Sequence, residues 1–247
     1  TADVKEIYQR IWDGSLPGLA SGKYSNRDIY YSSYLQTYIA RDVKEETTVK
    51  DDAKFVDFIR AVACRIGQEL NIHSIALDVD ISDDTAKRWL SLLEKSEIVF
   101  SLHPYSNNLL KRVVKTPKIY FFDTGLVCYL TRHSTAEILQ NSSINGAILE
   151  NYIVAEIRKS YLNLGKEPYM YYYRDKEQRE IDLILETDGE LHSIEIKKSS
   201  NPTLSMVKNF NVLQKPNIKV GQGAIICMKE NLSALNKDTL VIPIWCI

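Results

Sequence analysis

The stretch EIDLILETDGELHSIEIK at residues 180–197 decides the fold of the second half of this chain. Runs of alternating apolar and polar residues flank Asp188-Gly189, and this dipeptide is the strongest short-range signal for a two-residue β-hairpin loop. Such a loop pairs Thr187 with Glu190. Because side chains alternate along a strand, this one pairing sets the face on which every other residue of the hairpin lies.

The predicted register places four ionisable side chains on one face. Asp182 lies directly opposite Glu195, and Glu180 lies opposite Lys197. Ile184 and Ser193 complete this polar face. The opposite face is apolar and is predicted to point to the core; its residues are Ile181, Leu183, Leu185, Ile194 and Ile196.

Two carboxylates in directly opposed positions repel each other. Their Cβ atoms lie about 5 Å apart, which at an effective dielectric of 20 gives roughly 3 kcal/mol. A hard divalent cation bound through oxygen relieves this repulsion, and Lys197 beside the pair suits the stabilisation of charge during phosphoryl transfer. The alternative is a solvated sheet face with a single Glu180–Lys197 ion pair.

The segments around the hairpin predict an α/β unit. A helix is expected from near Asn145 to Leu164, where Gly165 ends it, and a second helix around 203–214. With the hairpin, the predicted strands form a mixed sheet. They cover residues 169–174, 180–187, 190–197, 223–228 and 240–246.

Residues 51–133 predict three helices and a hairpin, which together make a winged helix. Apolar residues from Phe55 to Ile66 form the stripe of the first helix. Asn71 and Ser82 are predicted N-caps of the second and third helices. Extended residues follow at 98–102, 113–114 and 119–122, with a polar tip at 106–108.

Residues 1–50 predict a helical segment. Tyr34, Leu35, Tyr38, Ile39 and Val43 recur at helical spacing. The segment before them, 14–23, is predicted as a loop. It contains no phosphate-binding Walker A loop, because the spacing of its glycines is short and the residue after Lys23 is a tyrosine.

A DNA-binding surface is predicted on the winged helix. Lys87 and Arg88 are expected to be exposed on the third helix, where Asp83 and Asp84 argue against strong sequence-specific contacts. The hairpin provides a second basic group, consisting of Lys111, Arg112, Lys115 and Lys118. Four phosphate contacts give a modest, salt-dependent affinity. The alternatives are a solvated wing and a docking face for another domain.

Composition excludes several classes of protein. Lys plus Arg (31) against Asp plus Glu (32) gives a net charge of −1, which excludes a uniformly basic nucleic-acid coat. The four cysteines show no metal-ligand or disulfide spacing and are expected to be reduced core thiols. No segment has the length of a membrane span. We therefore expect a cytoplasmic protein without a membrane partner.

Five sequence stretches resemble one protein family. They are YLQTYIARDV at 34–43, FFDTGL at 121–126, GAILENYIVAEI at 146–157, YYYRDKEQREIDLILE at 171–186 and LHSIEIKKS at 191–199. Together they resemble the C-terminal region of bacterial and archaeal AAA-type P-loop ATPases that carry a winged helix and a PD-(D/E)XK nuclease-like domain. The resemblance implies an α+β multidomain fold in which a helical linker and winged helix precede an α/β restriction-endonuclease-like domain with a mixed sheet.

The resemblance also implies roles for individual residues. Asp182 and Glu195 would hold Mg²⁺ or Mn²⁺, with the carbonyl of Ile196 as a further ligand. Lys197 would orient or deprotonate the attacking water, and Glu150 on the preceding helix would bind the metal or its water. The reaction would be metal-assisted hydrolysis of a phosphodiester. ATP would bind only to a full-length protein, because the chain has no Walker loops.

The implied domains are a remnant of the ATPase region at 1–50, a winged helix at 51–133 and a nuclease-like domain at 134–247. The implied partners are DNA, an N-terminal ATPase domain and a second copy of the chain. Two other functions stay open at this point: a catalytically silent interaction or oligomerisation module, and a winged-helix regulator that binds DNA.

Overall fold

The computed structural model describes residues 3–38, 52–106 and 116–247. The chain divides into two compact units. A helical unit comprises Lys5–Ser101 and Ile119–Asn151. An α/β unit comprises Thr1–Val4, Leu102–Lys118 and Tyr152–Ile247. The α+β class and the mixed sheet are confirmed.

The first three helices of the helical unit are α1 (Val4–Asp13), α2 (Pro17–Ala20) and α3 (Arg27–Tyr38). The prediction of a loop at 14–23 was wrong in part, because Pro17 begins the short helix α2 at a position where its missing N–H costs nothing. Tyr34, Leu35 and Tyr38 lie on α3 as predicted. Ile39 and Val43 lie outside the described residues.

The next helices are α4 (Asp52–Ala63), α5 (Ile72–Val79) and α6 (Asp83–Lys95). Both predicted N-caps are confirmed. The Asn71 side chain accepts a hydrogen bond from the Ser74 N–H, and the Ser82 side chain accepts one from the Thr85 N–H. Strands β1 (Val99–Leu102) and β2 (Lys118–Phe121) follow and form a two-stranded sheet.

Three more α-helices follow β2 in the chain: α7 (Thr124–Leu130), α8 (Ala136–Gln140) and α9 (Asn145–Asn163). The buried Asn151 of α9 holds strand β2: its Oδ1 accepts from the Phe121 N–H and its Nδ2 donates to the Phe121 carbonyl, both at 2.8 Å. One side-chain amide therefore replaces a neighbouring strand at this position.

A buried aspartate joins the N-terminal helices to α7. Asp123 accepts hydrogen bonds from the Ser15 N–H at 2.6 Å, the Leu126 N–H at 2.6 Å and the Tyr31 hydroxyl at 2.7 Å. Burial and the neighbouring Asp123 raise the pKa of Tyr31, so its hydroxyl stays a donor. The carboxylate therefore caps α7 and fixes the 13–15 segment at the same time.

The α/β unit is built on a mixed sheet with the strand order β3-β4-β5-β7-β9-β8, and β6 pairs with β5 at its margin. Strands β3 to β5 form an antiparallel meander, and β5, β7 and β9 run parallel. The bounds are β3 (Tyr169–Arg174), β4 (Glu180–Thr187), β5 (Glu190–Lys197), β6 (Lys219–Val220), β7 (Gly223–Cys227), β8 (Ser233–Asn236) and β9 (Thr239–Pro243).

Two 3-10 helices accompany this sheet, at Leu204–Leu213 and Ile244–Cys246. The first, called the 204–213 segment below, occupies the position where an α-helix is predicted. The end of the chain is predicted as a strand to residue 246, but β9 ends at Pro243 and the chain then turns. Sequence periodicity also missed the short strands β6 and β8.

The predicted hairpin register is confirmed from Thr187–Glu190 to Leu183–Ile194. Asp188 and Gly189 both have positive φ, at 52° and 78°, as a type I′ turn requires.

The predicted division of the hairpin into one polar and one apolar face was wrong at Ile181, which was assigned to the face opposite Ile184. Tyr171 pairs with Ile184 whereas Tyr173 pairs with Ile181, so two residues of β4 face the single residue Tyr172. This β-bulge turns the strand locally. Ile181 and Ile184 consequently share one buried cluster with residues of the 204–213 segment.

Among the described helices, none combines the length and apolar character that a bilayer span requires. All four cysteines are free; Cys128 and Cys227 are buried, as predicted for core thiols, whereas Cys64 and Cys246 are exposed.

Gly189→Ala is expected to destabilise the fold by about 1 kcal/mol. Gly189 has a φ of +78° with nothing within 4 Å of an added Cβ, so the cost is the left-handed backbone alone. Gly146→Ala is the matched control: it also meets open space, but it lies inside α9, where alanine stabilises a helix. Urea unfolding of both variants checks this. Equal stabilities would contradict the turn assignment.

Candidate functional site

Three side chains of the α/β unit meet at the end of the β4–β5 ladder. Lys197 Nζ lies 2.8 Å from Glu195 Oε1 and 3.3 Å from Asp182 Oδ2. The structure therefore brings together three of the four residues that the sequence predicts for a metal-dependent site. These three residues are called the acid–lysine cluster below.

Asp182 occupies the position where the regular β4–β5 pairing stops. The paired positions end at Leu183 and Ile194, and the Ile196 N–H donates to Asp182 Oδ2 at 2.8 Å. A carboxylate oxygen thus takes the place of a strand carbonyl. Because a backbone N–H and an ammonium both donate to Oδ2, the side chain has a defined orientation.

Glu195 is the most buried member of the cluster, with 7% of its surface exposed. Its Oε1 accepts from Lys197. Its Oε2 is buried and has no hydrogen-bond partner among the described residues. Burial, followed by repulsion from Asp182, raises the pKa of Glu195 from its ordinary value of 4.5 to about 7.

Lys197 keeps its charge in spite of partial burial. Burial alone would lower the pKa of the ammonium, but the carboxylates of Asp182 and Glu195 outweigh that cost and raise it. The side chain retains 34% exposure, so the cluster has one face toward solvent. The lysine is thus a permanent cation at the accessible end of the site.

Parallel pairing with β7 makes the support of the cluster rigid. Glu195 pairs with Ile225, and Lys197 pairs with the buried Cys227. Strand β5 is therefore bonded on one side to β4 up to the cluster and on the other side to β7 through the cluster. This change of neighbour at one point of the sheet leaves a gap in the antiparallel ladder, which the Asp182 carboxylate fills.

The Glu180–Lys197 ion pair, which belongs to the alternative of a solvated sheet face, is not formed. Glu180 instead pairs with Lys118, whose Nζ lies 2.5 Å from Glu180 Oε1, and lies 3.9 Å from Arg174. The carbonyl of Glu180 accepts from Asn209 of the 204–213 segment at 3.0 Å. The bulge that turns β4 and the ion pair with Lys118 take Glu180 away from the position that an unbroken ladder gives it.

Lys118 was wrongly assigned to the DNA-binding surface. It is 3% exposed, and its ammonium also lies 5.4 Å above the ring of Tyr172. A cation in that position neutralises Glu180 and is not available to a phosphate. The sequence signal for this was the apolar run that follows Lys118, since β2 is buried along its whole length.

The remaining predicted residues lie elsewhere. Glu150 belongs to the helical unit, where its Oε1 accepts from the Tyr120 hydroxyl at 2.6 Å; its role toward a metal stays a prediction. Lys87 and Arg88 are exposed on α6, as expected. The other three cations of the hairpin, Lys111, Arg112 and Lys115, lie outside the described residues.

The cluster offers few metal ligands by itself. Within residues 3–38, 52–106 and 116–247, no group of three or more His, Cys, Asp or Glu side chains is arranged to hold a metal ion. Asp182 and Glu195 supply two carboxylates, and a backbone carbonyl and water would have to supply the other oxygens. Mg²⁺ is commonly held by one or two carboxylates with several waters, so the unpartnered Glu195 Oε2 fits such an ion.

These features define an α+β protein with a partly buried acid–lysine cluster at a sheet junction. A family model described as a domain of unknown function, DUF8612, matches residues 4–137. This is more than half of the chain, and the chain belongs to that family. A second family model, also a domain of unknown function, DUF4143, matches residues 145–247.

The curated relatives that the chain matches are named as uncharacterized proteins. The chain is 27% identical over 237 residues to the uncharacterized protein Rv2008c of Mycobacterium tuberculosis and to Mb2031c of Mycobacterium bovis, covering 95% of this chain and 52% of each relative. It is 26% identical over 231 residues to the uncharacterized protein MJ1637 of Methanocaldococcus jannaschii, covering 91% of this chain and 45% of that relative. The chain therefore spans about half the length of these relatives. No solved structure matches it.

The raised pKa of Glu195 predicts a specific pH dependence of the free energy of unfolding. Because its pKa rises from 4.5 unfolded to about 7 folded, its contribution to stability is present below pH 4.5 and is lost as pH rises to about 7. At about 1.4 kcal/mol per pKa unit the loss amounts to up to about 3 kcal/mol. Urea unfolding at pH 5 and pH 8 measures it, and Glu195→Gln is expected to remove most of the difference.

Glu190→Gln serves as the control, since Glu190 begins the same strand and is exposed. It is expected to keep the wild-type difference between the two pH values. A pH dependence that survives unchanged in Glu195→Gln would show that another group is responsible.

Proposed function

We propose that this chain is the C-terminal region of an AAA-type P-loop ATPase and that its α/β unit hydrolyses phosphodiester bonds of DNA with a divalent metal. The observation that carries the proposal is the second oxygen of Glu195. It is buried, lacks a hydrogen-bond donor among the described residues, and belongs to a carboxylate that lies within reach of Lys197 beside Asp182.

Charge favours a cation at this place. Two carboxylates and one ammonium give the cluster a formal charge of −2 + 1 = −1 when Glu195 is ionised. A buried carboxylate is destabilised until a positive charge compensates it. A divalent ion bound between Asp182 and Glu195 would supply that charge and would satisfy Oε2.

The roles of the residues follow from their positions. Asp182 and Glu195 would hold Mg²⁺ or Mn²⁺, which would polarise the phosphate and activate a water when bound. Lys197 lies between the acids and solvent, and its ammonium would orient the attacking water and stabilise the charge that develops on the phosphate. A role of Glu150, which belongs to the helical unit, toward the metal stays a prediction.

DNA binding would fall to the winged helix, which helices α4 to α6 and strands β1 and β2 would form. Lys87 and Arg88 lie exposed on α6, the third helix of this group. Asp83 and Asp84 precede them at its N-terminus, where a recognition helix reads bases. The two cations therefore suit contacts with phosphates better than contacts with bases.

The length of the relatives supports a further domain in the whole protein. The relatives are about twice as long as the segment they share with this chain. We place the ATPase domain, and with it ATP binding, in that additional length. Assembly of several copies in the cytoplasm is part of the same proposal.

The second candidate is a catalytically silent interaction module. It is favoured by Lys197, which contacts both acids and already compensates part of their charge without a metal. In that case the cluster would be a structural ion-pair network at the junction between antiparallel and parallel strands. The two candidates differ in their response to divalent metal.

Titration with Mn²⁺ separates them. We expect one ion per chain and the release of a proton at pH 6, because the metal displaces the proton from Glu195. Asp182→Asn and Glu195→Gln are each expected to weaken binding at least about tenfold. Calorimetry in two buffers of different ionisation enthalpy measures both the affinity and the proton release.

Asp188→Asn is the matched control, because Asp188 is an exposed acid at the turn of the same hairpin and asparagine tolerates its positive φ. It should bind Mn²⁺ like the wild type. Cleavage of plasmid DNA in Mg²⁺ that Lys197→Ala abolishes would establish the enzyme. Heat signals that are identical in the wild type and in all variants would exclude the metal site and favour the catalytically silent interaction module.

The DNA-binding part of the proposal has a separate test. Replacing Lys87 and Arg88 by alanine is expected to weaken binding of any duplex sequence alike. It should also reduce the slope of log K against log salt by about 0.9 for each lost phosphate contact. Fluorescence anisotropy at several salt concentrations measures the slope.

Lys237→Ala is the control for this measurement, since Lys237 is an exposed cation in the β8–β9 turn of the α/β unit. An unchanged slope in the double variant would exclude α6 from the contact. Selective loss for one sequence would instead favour a sequence-specific regulator.

A further inference from the structure

Two buried oxygens on strand β5 have no hydrogen-bond partner among the described residues. One is Glu195 Oε2, and the other is the hydroxyl oxygen of Ser193. Ser193 is 1% exposed and Glu195 is 7% exposed. Ser193 completes the predicted polar face of the hairpin, and the roles proposed above do not use it.

The two side chains are next neighbours on one face of the strand. Residues two apart in a strand point to the same side and lie about 7 Å apart along it. Glu195 Oε1 is turned toward Lys197, two residues in the other direction. The second oxygen, Oε2, is therefore the one that can face Ser193 or the interior of the unit.

The 204–213 segment packs over this part of the sheet. Val212 and Leu213 form a buried cluster with Leu191, which lies on the Ser193 side of β5. Phe210 packs against that cluster and against a second one around Ile225. Neither oxygen can therefore reach bulk solvent.

Leaving both oxygens unsatisfied would be costly. A buried polar group without a hydrogen-bond partner has lost its hydration and has gained nothing in exchange. Buried water molecules typically satisfy such groups, and a site that holds one needs two or more polar neighbours and room for the water. A single water can join two oxygens that are about 4–5 Å apart, since it makes a hydrogen bond to each.

We propose that Ser193 is a positioning residue for the acid–lysine cluster: in the metal-free protein its hydroxyl and Glu195 Oε2 share one buried water beneath the 204–213 segment. The water orients the Glu195 carboxylate from the interior while Lys197 orients it from the solvent side. The carboxylate is then held ready to turn Oε2 to a metal. The effect on metal binding rests on the proposed function, whereas the shared water does not.

A high-resolution crystal structure of the metal-free protein tests the shared water. Density for one water within hydrogen-bond distance of both oxygens is the expected result. A direct Ser193–Glu195 hydrogen bond, or two oxygens without a common water, would overturn the inference. This measurement decides the point even if the protein binds no metal.

Mn²⁺ titration of Ser193→Ala tests the positioning role. Loss of a group that orients a metal ligand typically weakens metal binding 10- to 100-fold, and we expect at least about tenfold here. Ser233→Ala is the matched control, because the Ser233 hydroxyl is also buried without a hydrogen-bond partner in the described part of the chain but lies on β8, at the far edge of the sheet.

The comparison of affinity with stability separates positioning from folding. We expect Ser193→Ala and Ser233→Ala to change the melting temperature alike, and only Ser193→Ala to weaken Mn²⁺ binding. Wild-type affinity in Ser193→Ala, or an equal loss in both variants, would refute the positioning role. A wild type that binds no Mn²⁺ would refute the proposed function and the positioning role together and leave the shared water to the diffraction result.

Discussion

The structure of the α/β unit depends on how two neighbouring carboxylates are accommodated in a partly buried place. Asp182 and Glu195 would repel each other strongly if both were ionised without compensation. Lys197 contacts both, and the Ile196 N–H donates to Asp182. The remaining cost appears in the raised pKa of Glu195, whose burial exceeds that of the other two. A cluster of this kind is stable enough to fold and is still short of positive charge.

The sheet changes its character at the same place. Strand β5 is antiparallel to β4 up to Ile194 and parallel to β7 from Ile194 to Lys197. The bulge of β4 opposite Tyr172 accompanies this change. A local break in regular pairing frees a backbone N–H for a side chain, and that side chain is an acid. Irregular positions in sheets are often found beside functional sites for this reason.

The role that the sequence around Lys118 indicates differs from the role that its contacts in the structure show. In the sequence it belongs to a run of cations without intervening acids, which indicates a phosphate-binding surface. In the structure it lies at the buried beginning of β2 and pairs with Glu180. The partner is 62 positions away in the chain, since 180 − 118 = 62. No local pattern can reveal a partner at such a distance.

Local patterns determined the positions of most elements and the register of the central hairpin. Asp188-Gly189 specified a type I′ turn, since few residues tolerate positive φ at two successive positions, and the register placed Asp182 near Glu195. Asn71 and Ser82 specified helix starts through hydrogen bonds within three residues. These features depend on neighbours in the chain, so they can be inferred from the sequence alone.

Only the tertiary structure decided which polar atoms are satisfied. The bulge of β4 depends on pairing with β3, and it brings Ile181 into the core cluster that contains Ile184. The partner of Glu180, the burial of Glu195 and the unpartnered oxygens of Glu195 and Ser193 all depend on segments distant in sequence. Burial and long-range pairing depend on many residues of the unit at once. They determine which charges of the cluster are compensated and therefore the protonation of Glu195.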